Sequence, residues 1–280
     1  MRLLMTFLNC LSIALFLLGA GVILSIPAVD SFLGQYYVGS FADLYNYMLG
    51  ANSPVGPFGS HSIAAFIYFL FFIIYYISWL HFRKVQYLIF SILFLVLIFA
   101  LKSFSALFFI IFAFLTILNT KFLLHKIDIS FIFFNIVITV TLYTLLSGFI
   151  DIPALLAGNE SNGFLARYGK NGVLTYDIHY LKDNLFMGDG IGYNDNLHYT
   201  DSGYIRALLT YGITGAIIFY IVFARVILKK NYTYLFIIFF ACLFFEIGYD
   251  IFFYNRYIFI LILISLFIEN INFSIRNIEK

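Results

Sequence analysis

The residue types that could carry chemistry are gathered in one polar stretch, residues 151–202. It holds seven of the fourteen acidic residues and two of the five histidines of an otherwise strongly apolar chain. A carboxylate or an imidazole can accept a proton from an attacking hydroxyl group, and Asp201 and His198 are the candidate proton acceptors. An arginine can bind a phosphate or pyrophosphate through a planar fork of N–H donors. The stretch therefore offers the groups for a reaction in which a hydroxyl attacks a phosphorylated substrate.

Anion binding must depend on one or two well-aimed residues. Between residues 151 and 201 the seven acids outnumber three lysines and arginines, so the stretch is not a general anion-binding surface. Arg167 is the candidate catalytic cation. The candidate substrate-binding residues, in the stretch and elsewhere, are Arg206, His179, Tyr204, Lys170, Lys182 and His61.

Several of these residues also have a purely structural interpretation. Arg167 is a possible ion-pair partner of Asp177, and the preferred interpretation of His179 is a polar residue on the outer face of an amphipathic helix. Asp201 immediately precedes an apolar segment and is equally a candidate N-cap. Charged residues close to membrane spans are functional candidates by default. Glu246, Asp250 and Arg256 are of this kind, although they could simply pair with one another.

Composition predicts an integral membrane protein. Of the 280 residues, 63% are hydrophobic and only 11% are charged, whereas soluble proteins carry about 25% charged residues. The formal net charge of +2 gives no basis for nucleic-acid binding. Cys10 and Cys242 lie in apolar runs without neighbouring ligands, which predicts packing residues and neither a disulfide framework nor a metal site.

Apolar segments long enough to cross a bilayer predict an all-α polytopic membrane protein with about eight spans in one transmembrane domain, residues 1–280. The first segment is longer than the core of a signal peptide and is interpreted as an uncleaved span. The break at Lys102 favours a hairpin of two helices over one bent helix. The predicted spans are 3–28, 61–80, 85–101, 105–124, 130–150, 203–228, 232–249 and 257–271.

The distribution of basic residues orients these spans. The short loops on one side are basic and those on the other are not, which by the positive-inside rule places both termini in the cytoplasm. Residues 151–202 then form one long external loop, and residues 30–60 form a second one without any lysine or arginine. Arg206 and Arg256 fall near the outer ends of their spans. The tyrosines of residues 30–60 are interpreted as an interfacial belt in preference to a sugar-stacking surface.

The external loop contains one predicted helix. Leu174, Ile178, Leu181 and Leu185 are spaced by three and four residues, which predicts an amphipathic helix over 174–186 that lies on the membrane or caps a cavity. The glycines of residues 188–192 predict a flexible turn. They are not a dinucleotide fingerprint, because no βαβ context surrounds them.

These elements in combination resemble the O-antigen polymerase and ligase superfamily, over residues 56 to about 228. The shared pattern is an arginine in a large external loop, an amphipathic helix, a glycine-rich turn and a helix start that runs into Gly-Ile-x-Gly. Here it comprises Arg167, residues 174–186, residues 184–192, and the segment from Asp201 to Gly215. Two further segments resemble the superfamily more weakly. The first is Gly56-Pro57-Phe58-Gly59-Ser60-His61-Ser62-Ile63-Ala64, in which Ser60 is a candidate helix cap. The second is Lys102-Ser103-Phe104-Ser105-Ala106, in which Phe104 stands where arginine is common in the superfamily.

The resemblance implies metal-independent, inverting glycosyl transfer without a cofactor, on the outer face of a bacterial inner membrane. The implied donor and acceptor are undecaprenyl-pyrophosphate-linked glycans, with a chain-length regulator and a flippase as protein partners and no nucleic acid. Arg167, with Arg206, would bind the pyrophosphate, and Asp201 or His198 would accept the proton. Ligases of the superfamily have His-Asn where this chain has Asp201-Ser202, which favours a polymerase of O-antigen, capsule or exopolysaccharide.

Other function classes remain open on the sequence alone. An O-antigen-type ligase would use the same chemistry with another acceptor. A transporter or flippase of the polysaccharide pathway would place charges at mid-membrane and often contain broken helices. A structural membrane subunit would need no chemistry. A hydrolase acting on a soluble substrate lacks a nucleophile and base motif here.

Overall fold

A computed structural model describes ten helices and two 3₁₀ turns, and the part of the chain that it describes contains no β-strand. The described residues are 2–36, 50, 52–58, 60–101, 103–120, 129–147, 172, 174–190, 202–228, 233–253 and 255–276. The helices are α1 (Arg2–Ile23), α2 (Pro27–Tyr36), α3 (His61–Phe82), α4 (Val85–Ala100), α5 (Phe104–Leu118), α6 (Ile129–Ser147), α7 (Thr175–Asn184), α8 (Gly203–Ile227), α9 (Thr233–Phe245) and α10 (Asn255–Arg276). The 3₁₀ turns are Gly56–Phe58 and Ile251–Phe253.

The predicted all-α class is confirmed, and a helix lies over each predicted span. Within the described residues, three segments are long and apolar enough to cross a membrane: Met5–Ile23, His61–Phe82 and Gly203–Ile227. Further apolar helices are shorter, so the number of eight spans stays a prediction. The chain divides into two compact units, Met1–Ile117 with Leu266–Lys280, and Leu118–Ser265.

In the first unit, the predicted first span is wrong at its end. It was expected to continue to residue 28, but α1 stops at Ile23 and the chain turns at Ser25, which has a left-handed φ of 52°. Pro27 then begins α2, because its fixed φ suits a first helical position. α2 folds back on α1, where Leu33 and Val22 form a small buried cluster.

α3 is the central helix of the first unit. It is apolar on every side, as expected of a helix that is surrounded by other helices. In its most apolar stretch, 89% of the residues are buried. Its predicted cap is confirmed, since Ser60 Oγ accepts a hydrogen bond of 3.2 Å from the Ile63 N–H. α4 packs along it through aromatic rings, for example Phe71 on Phe94 at 5.0 Å between centroids.

The chain forms two separate helices, α4 and α5, on either side of the predicted break at Lys102, and their arrangement as a hairpin of two spans stays a prediction. Phe99, at the end of α4, packs edge to face on Phe114 in α5, with 6.5 Å between the ring centroids. The hydroxyl groups of Ser62 and Ser105 lie 2.7 Å apart, which joins the first turns of α3 and α5. A hydroxyl pair of this kind is a typical connection between helices in an apolar environment.

Tyr75 should contribute measurably to stability through its hydroxyl group. The hydroxyl donates to Asn9 Oδ1 at 2.9 Å and lies 2.8 Å from Ser12 Oγ, so it ties α3 to α1. We expect Tyr75→Phe to lower the free energy of unfolding by about 0.5–2 kcal/mol, because the buried Ser12 and the half-buried Asn9 each lose a hydrogen bond. Thermal unfolding in detergent measures this.

Tyr87→Phe is the matched control for that measurement. The Tyr87 ring packs on Tyr75, with 6.2 Å between the ring centroids, and is also buried. Among the described residues its hydroxyl makes no hydrogen bond, so its removal should leave the unfolding midpoint within error of the wild type. Equal losses from both variants would show that the Tyr75 hydroxyl is not part of a polar link.

Candidate functional site

The structure describes only some of the predicted site residues, and the substrate-binding and catalytic roles of all of them stay predictions. Arg167, Lys170, His198 and Asp201 lie outside the described residues, and their roles stay predictions. His61 begins α3 in the first unit. The remaining predicted residues, His179, Lys182, Tyr204 and Arg206, lie in the second unit on α7 and α8.

The predicted amphipathic helix is confirmed as α7. Leu174, just before the helix, and Leu181 are buried, whereas His179 and Lys182 are exposed. Asp177 lies on the buried side and is completely inaccessible to solvent. The exposed position of His179 agrees with its structural interpretation as a polar residue on the outer face.

α7 packs against the first half of α8. Leu181 and Leu209 form the buried centre of this contact. The partly buried residues that surround them are Tyr180, Leu185, Ile205 and Leu208. The hydrophobic face of α7 is therefore covered by a neighbouring helix of its own unit.

α8 is interrupted at Gly212, which the sequence analysis did not predict. Gly212 has φ 64° and ψ 179°, a conformation that essentially only glycine adopts. A break of this kind frees backbone groups that a continuous helix would pair. In an apolar environment such groups need other partners.

The segment after α7 provides those partners. Asp189 N–H donates to Leu209 O at 2.6 Å, and Gly190 N–H donates to Thr210 O at 3.1 Å. On the other side of the break, Ile213 N–H donates to the Leu185 carbonyl oxygen at 2.8 Å. We call residues 185–190 the docked turn. The prediction of a flexible turn is thus wrong for its first part, because these backbone hydrogen bonds fix the turn on α8.

Arg206 lies on the first turn of α8 and is held from two directions. Its Nη1 forms an ion pair with Asp250 Oδ2. Its guanidinium also lies over the Phe253 ring, 4.6 Å from the centroid, at a distance suited to a cation–π interaction. Asp250 is fully buried, while the Arg206 side chain is 28% exposed. A guanidinium held in this way is oriented and still reachable for an oxyanion.

Glu246 is completely buried at the end of α9 and is hydrogen-bonded through both carboxylate oxygens. Oε1 accepts from the Phe252 N–H at 2.9 Å, and Oε2 accepts from the Tyr220 hydroxyl at 3.0 Å. Asp250 forms an ion pair with Arg206; the side chain of Arg256 lies outside the described part of the chain, so the alternative in which Glu246, Asp250 and Arg256 pair with one another stays a prediction. Arg206 therefore has a partner that a local reading of the sequence could not supply.

The start of α8 is attached to the same place. Ser202 is the N-cap and accepts a hydrogen bond of 3.4 Å from the Ile205 N–H, so the interpretation of Asp201 as the cap is wrong by one residue. Gly203 N–H donates to the Glu246 carbonyl oxygen at 2.8 Å. Tyr204 Oη donates to Leu243 O at 2.6 Å, which gives this predicted substrate-binding residue a role in joining α8 to α9.

The described residues include no group of three or more His, Cys, Asp and Glu arranged to hold a metal ion. Sequence reasoning missed Tyr220 and Gly212 as parts of the site. The only available signal for Gly212 was its place in the Gly-Ile-x-Gly segment, and Tyr220 lies inside a long apolar run without any signal.

Comparisons with protein-family models, with curated proteins and with solved structures give no match to this chain. Any assignment of function consequently depends on the motifs and on the geometry of the second unit.

Proposed function

We propose that this protein is a membrane glycosyltransferase that polymerises polyprenyl-pyrophosphate-linked repeat units into a surface polysaccharide such as O-antigen, capsule or exopolysaccharide. The proposal includes eight spans, cytoplasmic termini, residues 151–202 outside the bacterial inner membrane, and partner proteins that supply units and control chain length. The observation that carries it is the oriented guanidinium of Arg206, which lies on the same half of α8 as the docked turn. A cation is thus placed where a polar loop joins an apolar helix.

This position suits a lipid-linked pyrophosphate. Such a substrate has an apolar chain in the membrane and an anionic group at the boundary with water. An arginine fixed by Asp250 and Phe253 can receive that group without first being ordered. Because the guanidinium is already oriented before binding, it also stabilises the charge that develops on the leaving pyrophosphate.

The proposed reaction is a single displacement with inversion. A hydroxyl oxygen of the acceptor sugar attacks the anomeric carbon of the donor, and the bond from that carbon to the pyrophosphate oxygen breaks. Arg206, together with Arg167, binds the departing polyprenyl pyrophosphate. Asp201 or His198 takes the hydroxyl proton. No metal ion or cofactor is required. The residues proposed to contact the sugars and phosphates are His179, Tyr204, Lys170, Lys182 and His61.

A transporter of lipid-linked glycans is the second candidate, because α8 is discontinuous at Gly212 and broken helices are typical of transporters. In transporters the freed backbone groups usually face the substrate or a coupling ion. Here Leu209 O, Thr210 O and Ile213 N–H are all hydrogen-bonded to the docked turn. That arrangement favours a structural break and therefore the polymerase.

Arg206→Ala tests the proposal directly. In a host that lacks the gene, we expect the variant to produce at least about tenfold less long polymer than the wild type, because a charge-assisted contact to the pyrophosphate contributes roughly 1.5–3 kcal/mol. Arg206→Lys keeps the charge without the planar fork and should give an intermediate result. Gels of surface polysaccharide measure the chain lengths.

Two controls separate this effect from misfolding. Arg225→Ala makes the same change in the last turn of the same helix, where the side chain is exposed, and should leave polymer length unchanged. Arg206→Ala also removes the cation beside the buried Asp250, which would leave a buried carboxylate without its ion pair. A second variant therefore combines Arg206→Ala with Asp250→Asn. Long polymer from both Arg206→Ala variants at normal protein abundance would contradict the proposal.

A further inference from the structure

Glu246 is the point at which several parts of the second unit meet. Among the described residues, Glu246 accepts four hydrogen bonds. Its carbonyl oxygen accepts from Gly203 N–H at 2.8 Å and from Ser202 Oγ at 3.4 Å. Its carboxylate accepts from the Phe252 N–H and from the Tyr220 hydroxyl. The residue therefore connects the end of α9 with the start and middle of α8 and with the Ile251–Phe253 turn.

The segment that begins at Glu246 carries both groups that hold Arg206. Asp250 lies four residues after Glu246, and Phe253 lies seven residues after it. The hydrogen bond from Phe252 N–H to Glu246 Oε1 closes this segment into a turn. Glu246 does not need to touch Arg206 in order to control it, because it fixes the two side chains that do.

Aromatic packing keeps this turn against α8. The Phe252 ring lies 4.6 Å from Phe223, and the Phe253 ring lies 5.1 Å from Phe219, measured between centroids. The carboxylate adds a directional constraint to this apolar contact. Rings alone allow sliding, whereas a hydrogen bond to the Phe252 N–H fixes the register of the turn.

Gly203 gives a second and independent indication. A Cβ atom built on Gly203 would fall in the space that the Glu246 carboxylate fills. Its backbone has no positive φ that would require glycine, and glycine is a poor helix former. Its presence at the first position of α8 is therefore explained by the close approach of this carboxylate.

From these contacts we infer that Glu246 is a positioning residue for Arg206. It sets the turn that places Asp250 and Phe253 around the guanidinium, and so it sets the group that binds pyrophosphate. This inference depends on the proposed function for its role in catalysis, but the positioning itself is a property of the fold and can be measured without any substrate.

The chemistry of the side chain predicts which substitution preserves positioning. In Glu246→Gln the amide oxygen can accept from the Phe252 N–H, and the amide NH₂ can donate to the Tyr220 hydroxyl oxygen. Glu246→Ala removes both acceptor oxygens. Gly203→Leu should act like Glu246→Ala, since it displaces the carboxylate while Glu246 itself is retained.

Hydrogen exchange of the purified protein in detergent is the first test, and it requires no activity. In Glu246→Ala the peptide that covers residues 247–253 should exchange at least about tenfold faster than in the wild type, because local opening becomes easier. Glu246→Gln should stay within about threefold of the wild type. Asn135→Ala is the matched control, because it removes a partly buried amide pair with Asn119 elsewhere in the same unit.

The second test is a double-mutant cycle on polymer formation in cells. If Glu246 acts through Arg206, Glu246→Ala should reduce long polymer about tenfold alone and by less than about twofold in the Arg206→Ala background. Glu246→Gln should restore it. A structural loss unrelated to Arg206 would instead be additive in the double variant and would also appear in Asn135→Ala.

The outcomes separate the two claims. Unchanged exchange in Glu246→Ala would overturn the positioning inference, whatever the protein does. Faster exchange combined with additive effects on polymer would overturn it as well. If deletion of the gene leaves surface polysaccharide unchanged, the proposed function fails. The double-mutant cycle is then measured on unfolding midpoints. Coupling between Glu246→Ala and Arg206→Ala supports the positioning inference, and additivity overturns it.

Discussion

Gly212→Ala is expected to destabilise the second unit by about 3 kcal/mol or more. Two costs add in this variant. The backbone at φ 64° and ψ 179° is essentially restricted to glycine, and forcing another residue into it costs about 1–3 kcal/mol. The new Cβ would also collide with the carbonyl group of Phe186 and would lie 2.8 Å from Gly188 N. Both neighbours are backbone atoms of the docked turn and cannot rotate away.

The expected result is lower abundance in the membrane and a lower unfolding midpoint in detergent. The docked turn should also separate from α8, since relief of the collision requires the turn to move. Hydrogen exchange at Asp189 and Gly190 measures that separation, because their N–H groups donate to α8 carbonyls in the wild type.

Other glycines of the same chain provide graded controls. Gly190 has a positive φ of 77°, but a Cβ there meets nothing within 4 Å, so Gly190→Ala should cost only about 1–2 kcal/mol of backbone strain. Gly34 lies in α2 with open space and no positive φ. Gly34→Ala should be neutral or slightly stabilising. A Gly212→Ala variant as stable as Gly34→Ala would contradict the docked arrangement.

Patterns that depend on neighbouring residues predicted much of this fold. The helix over residues 61–82, its Ser60 cap, the separation of α4 from α5 and the amphipathic α7 all follow from periodicity, capping chemistry or a polar break within one short segment. Each of these features involves residues that are close in the sequence. Local physical rules therefore suffice to specify them.

The features that sequence reasoning missed join segments that are far apart. Glu246 and Tyr220 are separated by 26 positions, and Arg206 and Asp250 by 44. In an apolar chain any polar residue near a helix end has several possible partners, and spacing alone does not select one. The break at Gly212 was not predicted for a related reason. The backbone groups that the break frees are hydrogen-bonded by the docked turn, which lies more than twenty positions away in the sequence, and the apolar residues around Gly212 do not indicate a break.

The largest functional effect is expected from Arg167→Ala. Arg167 lies outside the described residues, so its proposed role rests on its place in the polar stretch and on the family resemblance. If Arg167 shares the pyrophosphate with Arg206, its loss removes one of the two arginines at the leaving group. Interactions that act mainly in the transition state typically contribute factors of about 10²–10³ to the rate. Polymer should then be reduced to single repeat units.

Gels of surface polysaccharide from a deletion host that carries wild type or Arg167→Ala measure this, at matched protein abundance. A ladder from the wild type and single units from the variant would support a polymerase with Arg167 in its site. Full-length polymer that is never attached to its final anchor would instead indicate a ligase, because another protein would then have carried out the polymerisation. Arg225→Ala serves again as the control for loss of one exposed cation. Wild-type ladders from Arg167→Ala would leave Arg206 alone at the pyrophosphate, and the assignment of Arg167 as a catalytic residue would then be wrong.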